Sequence, residues 1–265
     1  MKIGFVADIH EDCKRLEEAL FLLDSHHCDE IVCLGDIVGY SVPHYGYLKS
    51  RDAHAVIELV RKKCSVVVVG NHDLYAIRKL PKHKAGFTYP KNWYRLDYST
   101  RKEYVEQSNS NVYLYEDNEL SALLNEEDRQ YLHDLPEYVV KEVDGVKLFF
   151  SHYAYPDLVG NTAFEPFKSE DVSAHFRFMK QHGALLGFSG HDHCEGIMKF
   201  TPEAVEHQSF GITQLDRKTP TWLHGPCVAN GTFANGVMIF DTLNFTVEAI
   251  ELHSKKHEKQ ERRNL

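Results

Sequence analysis

Short apolar strands alternate with amphipathic helices at the start of the chain, and this alternation limits the fold more than any other feature. Residues 2–7 (KIGFVA) predict a buried strand, and residues 15–23 place apolar side chains at helical spacing. Residues 30–34 predict a second strand, residues 51–63 a second helix and residues 65–69 a third strand. Strands separated by helices pair in parallel, with the helices covering the sheet. The sequence therefore predicts an α/β fold.

The second half of the chain predicts more strands. Residues 138–143 and 146–150 predict a hairpin, because the Asp144-Gly145 pair between them is a strong two-residue turn signal. A helix is predicted over residues 169–181. Further strands are predicted over residues 184–189, 212–215, 236–240 and 245–250.

Length and composition predict one soluble domain. The 265 residues suit a single α/β domain, which we expect over residues 1–253. Prolines and aromatic residues crowd residues 80–136, which indicates a mostly helical, aromatic-rich insertion, and residues 254–265 indicate a polar tail. The formal charge of −9 argues against a surface that binds nucleic acid. No apolar run reaches the length of a membrane span or a signal peptide, so we expect a cytoplasmic protein with no membrane contact.

Side chains suited to metal binding follow five of the predicted strands. Open α/β sheets place their ligand sites at the carboxyl ends of the strands, so five such ends point to one site. A lone Asp-x-His triplet carries little weight, since residues 24–26 and 52–54 form two others in or near helices. The candidate ligands are Asp8, His10, Asp36, Asn71, His152, His191 and His193.

The donor types indicate which ions such a site would bind. Carboxylate and amide oxygens combined with imidazole nitrogens suit manganese, iron, zinc or nickel, as divalent or trivalent ions, and there is no cysteine cluster to indicate a thiolate site. Seven donors are more than one ion needs. The set predicts two metal ions that share a carboxylate and leave positions open for water and substrate.

The spacing of these residues resembles the calcineurin-like metallophosphoesterase superfamily. That superfamily has five motifs in order, namely DxH, GDxxG, GNH followed by an acidic residue, a lone His and GHxH, and all five occur here between Asp8 and His193. The second motif continues as GDIVGYS, which is similar to a branch of small phosphoesterases with GDxVGYG. The resemblance implies a four-layer αββα sandwich, in which two mixed sheets pack between helices.

The resemblance also implies a role for each candidate residue. Asp36 would bridge the ions, while His72 would act near the leaving group with Asp73 as its orienting partner. The first metal would be held by Asp8, His10 and His193. The second would be held by Asn71, His152 and His191.

The expected activity is hydrolysis of a small-molecule phosphate mono- or diester, with nucleotides among the candidates, by water that two metal ions activate. Tyr40, His44 and the aromatic insertion are candidates for substrate contact, because rings stack on flat groups. The alternative for the aromatic residues is a small core inside the insertion. Two other functions stay open: a nuclease, which the acidic charge disfavours, and a metal-binding scaffold that binds a protein partner without turnover. The oligomeric state is not predicted.

Overall fold

Two six-stranded sheets form the centre of the protein in a computed structural model that describes residues 1–259. Numbered in chain order, the first sheet runs β11 (Gly211–Gln214), β14 (Thr246–Glu251), β13 (Gly236–Asp241), β1 (Lys2–Val6), β2 (Glu30–Cys33) and β4 (Val66–Val67). The second runs β10 (Val205–Gln208), β9 (Ile197–Phe200), β12 (Thr221–His224), β8 (Leu186–Ser189), β7 (Val146–Ser151) and β6 (Tyr138–Val143). A small separate pair joins β3 (Tyr40–Ser41) to β5 (Glu119–Leu120).

Each large sheet contains three neighbouring parallel strands, which lie at one side of the first sheet and in the middle of the second. Strands β1, β2 and β4 pair in parallel in the first sheet, and β7, β8 and β12 pair in parallel in the second. The outer strands β13, β14 and β11 on one sheet and β6, β9 and β10 on the other pair antiparallel. Both sheets are therefore mixed, and each one gathers the carboxyl ends of its parallel strands along one edge.

Helices cover the outer faces of both sheets. The α-helices are α1 (Cys13–Ser25), α2 (Ala53–Lys63), α3 (Asn71–Ala76), α4 (Tyr98–Ser108), α5 (Glu126–Asp134) and α6 (Ser173–Gln181). Apolar residues of α1 and α2 pack on the first sheet around Val6 and Ile239, and Met179 of α6 packs on the second sheet with Trp222. The order is helix, sheet, sheet, helix, which confirms the predicted four-layer αββα sandwich.

Aromatic side chains fill the space between the two sheets. Phe5 of β1 stacks on Phe188 of β8 with ring centroids 4.5 Å apart, so this pair joins one sheet to the other. Neighbouring residues of a strand point to opposite faces, and β7 shows this directly. Phe150 packs between the sheets, while Phe149 packs on the outer face with α6.

Several predicted boundaries shift in the structure. The helix predicted over residues 51–63 begins at Ala53, because the Asp52 carboxylate caps it by accepting the backbone N–H of Ala55 at 2.9 Å. The strand predicted over residues 65–69 keeps only Val66–Val67; beyond it the N–H of Val68 donates to Cys33, and that of Val69 donates to Pro136. The helix predicted over residues 169–181 starts with a 3-10 turn at Ser169–Val172 before α6. The predicted hairpin of β6 and β7 is confirmed.

The insertion is less helical than the sequence indicates. Within residues 80–136 the structure has α4, α5, the strand β5 and a 3-10 helix at Trp93–Arg95, and the rest is loop. Phe87, Trp93 and Val105 form a small core of their own. This confirms the alternative in which many of the insertion's aromatic residues serve packing.

The polar C-terminal tail contacts the domain over the part that the structure describes. The N–H of His257 donates to the carbonyl oxygen of Gly231 at 2.8 Å, and the Lys256 amine contacts the Glu195 carboxylate at 2.5 Å. Residues 260–265 of the predicted tail lie outside the described residues. Across residues 1–259, none of the helices combines the length and apolar character that a membrane span requires.

Truncating Phe188 tests how much the contact between the sheets stabilises the fold. Phe188 is fully buried, so Phe188→Ala should lower the free energy of unfolding by about 3–5 kcal/mol through lost contacts and a cavity. Chemical denaturation with urea measures the change. Phe21, at 75% exposed, provides the matched control, and Phe21→Ala should change the value by less than about 0.5 kcal/mol. Equal effects of the two substitutions would contradict the packing described here.

Candidate metal centre

The parallel strands of both sheets end at a common site. Loops that follow β1, β2 and β4 of the first sheet meet loops that follow β7 and β8 of the second. The site therefore lies at the seam between the two sheets, where parallel strands of each sheet end. The seven predicted ligands that these loops bring together are Asp8, His10, Asp36, Asn71, His152, His191 and His193.

The backbone in these loops is strained. Five of the seven residues have positive φ angles, a conformation that costs side-chain-bearing residues free energy unless the surroundings hold it. They are Asp8, His10, Asp36, His191 and His193. Hydrogen bonds across the loops hold the first three, because the N–H groups of Ile9 and His10 both donate to the carbonyl oxygen of Asp36, at 2.8 and 3.1 Å. Strain concentrated at one point is typical of a functional site.

One group of donors consists of Asp8, His10 and His193, whose ligand atoms all lie within 4.8 Å of one another. His193 Nε2 lies 3.4 Å from Asp8 Oδ1 and 3.3 Å from His10 Nε2. His10 Nδ1 lies 3.0 Å from the carbonyl oxygen of Gly39, which can only accept, so Nδ1 carries the proton. The lone pair of His10 Nε2 is therefore free to face the group.

A second group consists of Asp36, His152 and His191. His152 Nε2 lies 3.2 Å from Asp36 Oδ2 and 3.3 Å from His191 Nδ1. His152 Nδ1 donates to the carbonyl oxygen of Leu34 at 2.7 Å, which again leaves Nε2 for the site. Asp36 also belongs to a third group, with His10 and His72. It therefore lies where the groups adjoin.

Asn71 supplies the clearest test of whether a cation fits. Its amide nitrogen donates to the hydroxyl of Tyr115 at 2.7 Å, so its amide oxygen faces His152 Nε2 and Asp36 Oδ2, each at 3.2 Å. If the amide were flipped, its nitrogen would donate to these two atoms instead. Which of the two orientations is stable therefore depends on what lies between the atoms. Once His152 has released its Nε2 proton, these atoms are three acceptors at a spacing that suits a cation among them, and the inward oxygen is then the stable orientation.

Gly70 makes the close approach of these loops possible. A Cβ atom at Gly70 would lie 2.1 Å from Asp36 Oδ1 and would push the carboxylate out of the site. The Asp73 carboxylate reinforces the approach by accepting the N–H groups of Ile37, Val38 and Gly70 at 2.8 to 3.0 Å. Asp73 thus ties the loop after β2 to the start of α3.

The charge states of the donors suit a cation. Burial alone would raise the pKa of Asp8, but the neighbouring His193 and His152 lower it to about 2. Burial would likewise raise the pKa of Asp36, but His152 and His72 lower it well below its usual value. Burial lowers the pKa of His10 to about 3 and that of His191 to about 4, which favours their neutral, metal-binding form. His152 differs, because the Asp36 and Asp8 carboxylates outweigh burial and raise its pKa to about 10.

His72 does not pair with Asp73 as expected. Its Nδ1 lies 2.8 Å from Oε1 of Glu119, which the insertion supplies on β5, whereas Asp73 is used by backbone N–H groups. Burial would lower the pKa of His72, but the carboxylates of Glu119 and Asp36 outweigh it and raise the pKa to about 9. The partner predicted for His72 is therefore corrected to Glu119. The sequence holds no signal for this pair, because 47 positions separate the two residues and no motif includes Glu119.

A cleft of about 1010 Å³ opens over the site, and it includes only one of the two residues predicted to contact substrate. His44 lines the cleft. Tyr40 is 1% exposed, and its hydroxyl donates to the carbonyl oxygen of Tyr45 at 2.7 Å inside a small core. The prediction of a substrate contact for Tyr40 is therefore wrong, because the ring serves packing.

We expect cation binding to weaken as the pH falls, because protons compete for His152. With a pKa of about 10, His152 must release its proton to bind a cation throughout the neutral range. The association constant for Mn²⁺ should therefore fall about 10-fold for each pH unit from pH 8 to pH 6. Calorimetric titration at three pH values measures this slope. His133→Ala is the control, because this side chain is 58% exposed, and the variant should keep the wild-type slope. A wild-type affinity for Mn²⁺ that does not change with pH would contradict the expectation.

Known proteins share both the sequence pattern and the fold. An uncharacterized protein of Methanocaldococcus jannaschii is 23% identical over 263 residues, which cover 94% of this chain and 86% of that protein. The crystal structure of a metallophosphoesterase from Sphaerobacter thermophilus has a TM-score of 0.63 at 21% identity, with 96% of this chain and 90% of that chain covered. A hypothetical protein from Pyrococcus horikoshii has a TM-score of 0.56 at 14% identity, covering 96% and 88%. These two structures show the same fold.

The sequence model of the family described as calcineurin-like phosphoesterase matches residues 1–195, which include all the donors described above. The match extends over more than half of the 265 residues. The chain therefore belongs to the calcineurin-like phosphoesterase family.

Proposed function

We propose that this protein is a phosphoesterase that depends on two metal ions. The observation that carries the proposal is the position of Asp36, whose carboxylate groups with His10 and His72 from the first sheet and with His152 and His191 from the second. Asp8, His10 and His193 would hold one ion, and Asn71, His152 and His191 would hold the other. Asp36 would bridge them. Once bound, a pair of such ions stabilises charge on the phosphoryl oxygens and acidifies water for attack on phosphorus.

The donor set supports ions of intermediate hardness. Its oxygen and nitrogen atoms suit manganese, iron, zinc or nickel, and the family resemblance does not choose among them. The buried rings of His10 and His152 each donate from Nδ1 to a backbone carbonyl oxygen. This hydrogen bond fixes the position of each Nε2 atom. The chain therefore positions these two ligands before any ion arrives.

His72 is our candidate for the group that assists the leaving alcohol. Its Nδ1–H is held by Glu119, so Nε2 is the atom that can hold or move a proton at the centre. The ring lies edge-on to His10 with centroids 4.8 Å apart, which places it beside the proposed first metal site. A raised pKa of about 9 keeps the ring protonated at neutral pH, as a general acid requires. Glu119 acts through His72 as a positioning residue.

The proposed substrate is a small-molecule phosphate mono- or diester, with nucleotides among the candidates. The net charge of −9 disfavours long nucleic acids, and a site with two cations binds a phosphoryl group regardless of that charge. The complete donor set favours an enzyme over a scaffold. We propose a cytoplasmic location for it.

Substituting the proposed bridge or one of the proposed ligands should lower both metal binding and turnover. Asp36→Asn and His152→Ala should each lower bound metal from about two ions per chain and reduce kcat at least about 100-fold, because ligand geometry sets the chemistry. Elemental analysis gives the metal content, and bis(4-nitrophenyl) phosphate gives the rate. His133→Ala, at an exposed histidine, is the control and should change neither the metal content nor the rate.

Unchanged metal content and rate in both ligand variants would rule out the proposed site. Full metal content in the wild type without hydrolysis of any ester would favour a scaffold.

Substituting Glu119 should slow the hydrolysis of esters with poor leaving groups more than the hydrolysis of esters with good leaving groups. In Glu119→Gln the carboxylate that holds the His72 ring is lost, so kcat for an alkyl ester should fall about 100-fold. The rate for a nitrophenyl ester should fall less than about 3-fold, since its leaving group needs little protonation.

The matched control for this prediction lies in the same insertion. Glu103 is exposed on α4, and Glu103→Gln should leave both rates unchanged. Glu119→Asp should restore part of the alkyl-ester rate, because a carboxylate is again present. Equal losses for the two esters in Glu119→Gln would contradict the proposed role of the pair.

A further inference from the structure

Exposed aromatic rings stand at the mouth of the cleft above the candidate metal centre. Tyr113, Phe167 and Phe233 line the cleft, yet they are 44%, 80% and 45% exposed. A single exposed aromatic residue is ordinary, but rings gathered on one concave surface indicate a contact site. They come from three separate segments: the insertion, the loop after β7 and the loop between β12 and β13.

One of these rings lies directly beside the proposed metal ligands. The ring of Phe233 faces that of His193 edge-on with centroids 6.4 Å apart. Tyr113 contacts Tyr115, whose hydroxyl accepts a hydrogen bond from the Asn71 amide. A phosphoryl group at the centre would therefore place its ester substituent among the rings. Met198, which is half-buried, adds apolar surface to the wall of the cleft.

Apart from His72, which Glu119 already holds, the described lining of the cleft offers no strongly basic side chain for a second anionic group. Within residues 1–259, neither lysine nor arginine is among the residues that line it, whereas Glu119, Glu165 and Glu195 are. Lys256 at the rim is already bonded to Glu195. A substrate with further phosphates beyond the reacting one would meet the Glu165 carboxylate, and Glu119 and Glu195 already hold the cations of His72 and Lys256.

We propose that the cleft binds the ester substituent of the substrate and selects an uncharged group that carries a ring. This inference rests on the proposed phosphoesterase function and narrows its substrate class. The substrate carries one phosphoryl group, held at the metal centre, and the ring packs between Phe233, Phe167 and Tyr113. Nucleoside di- and triphosphates lie outside this class, whereas aryl esters and monophosphate esters with a neutral ring lie within it.

Phosphonates test the ring site without any turnover, because their carbon–phosphorus bond is not an ester. Calorimetric titration of the manganese-loaded protein compares phenylphosphonate with methylphosphonate, which differ only in the ring. We expect phenylphosphonate to bind about 10-fold more tightly. A third ligand, 4-carboxyphenylphosphonate, keeps the ring and adds one negative charge, and it should bind more weakly than phenylphosphonate. Equal binding of the phenyl and methyl compounds, or tighter binding of the charged one, would overturn the proposal.

Ring substitutions assign the preference to the cleft. Phe233→Ala and Phe167→Ala should each reduce the phenyl preference to about 3-fold or less, while methylphosphonate affinity stays within about 2-fold. Both side chains are largely exposed, so the fold should tolerate the changes, and circular dichroism checks this. The control is Phe21→Ala, at an exposed ring on α1 away from the cleft lining, which should keep the full preference. A preference that survives both cleft variants would overturn the assignment.

The experiment separates this proposal from the function on which it rests. If the metal-loaded protein hydrolyses bis(4-nitrophenyl) phosphate but binds the two phosphonates equally, the ring site is wrong and the phosphoesterase stands. If it prefers phenylphosphonate but hydrolyses no ester, the ring site stands and the proposed activity is wrong. If it binds none of the phosphonates, the ring site is wrong.

Discussion

Crowding of acceptor atoms at the seam between two sheets is the constraint on which the rest of the structure depends. The Asp36 carboxylate, His152 Nε2 and the Asn71 amide oxygen lie within 3.2 Å of one another in a buried place. Such atoms stay together only when a cation lies among them or when His152 carries the proton that Asp36 favours. The strained loops and the lack of a side chain at Gly70 allow these acceptors to approach one another. Their convergence supports our proposal of a pair of metal ions there.

The insertion completes the site that the two sheets begin. Through Tyr115 it orients Asn71, and through Glu119 it holds His72. Through Tyr113 it forms part of the aromatic mouth of the cleft. One segment therefore touches a proposed ligand, a proposed acid and the proposed substrate site. Changes within it would tune specificity while the ligand loops of the two sheets stay the same.

Local sequence predicted most of the central strands and the loops after them, because period-two and period-3.6 patterns report which residues face the core. The strands β9, β10 and β12 were not predicted, although β2, β8 and β11, which also have four residues each, were. Tyr40 was misjudged because an aromatic side chain beside a motif suits a pocket or a core equally well, and here its hydroxyl bonds inside a core. Exposure, which only the folded chain has, decides between these two roles.

By itself the sequence determined the family, the layered α/β fold and the donors that converge, because each of these depends on short motifs at the ends of buried strands. The tertiary structure alone decided the partner of each functional group. Glu119 reaches His72 across 47 positions, and Asp73 turns to backbone N–H groups instead. Such pairings follow from how distant segments pack in three dimensions, and no local pattern of residue types records that distance.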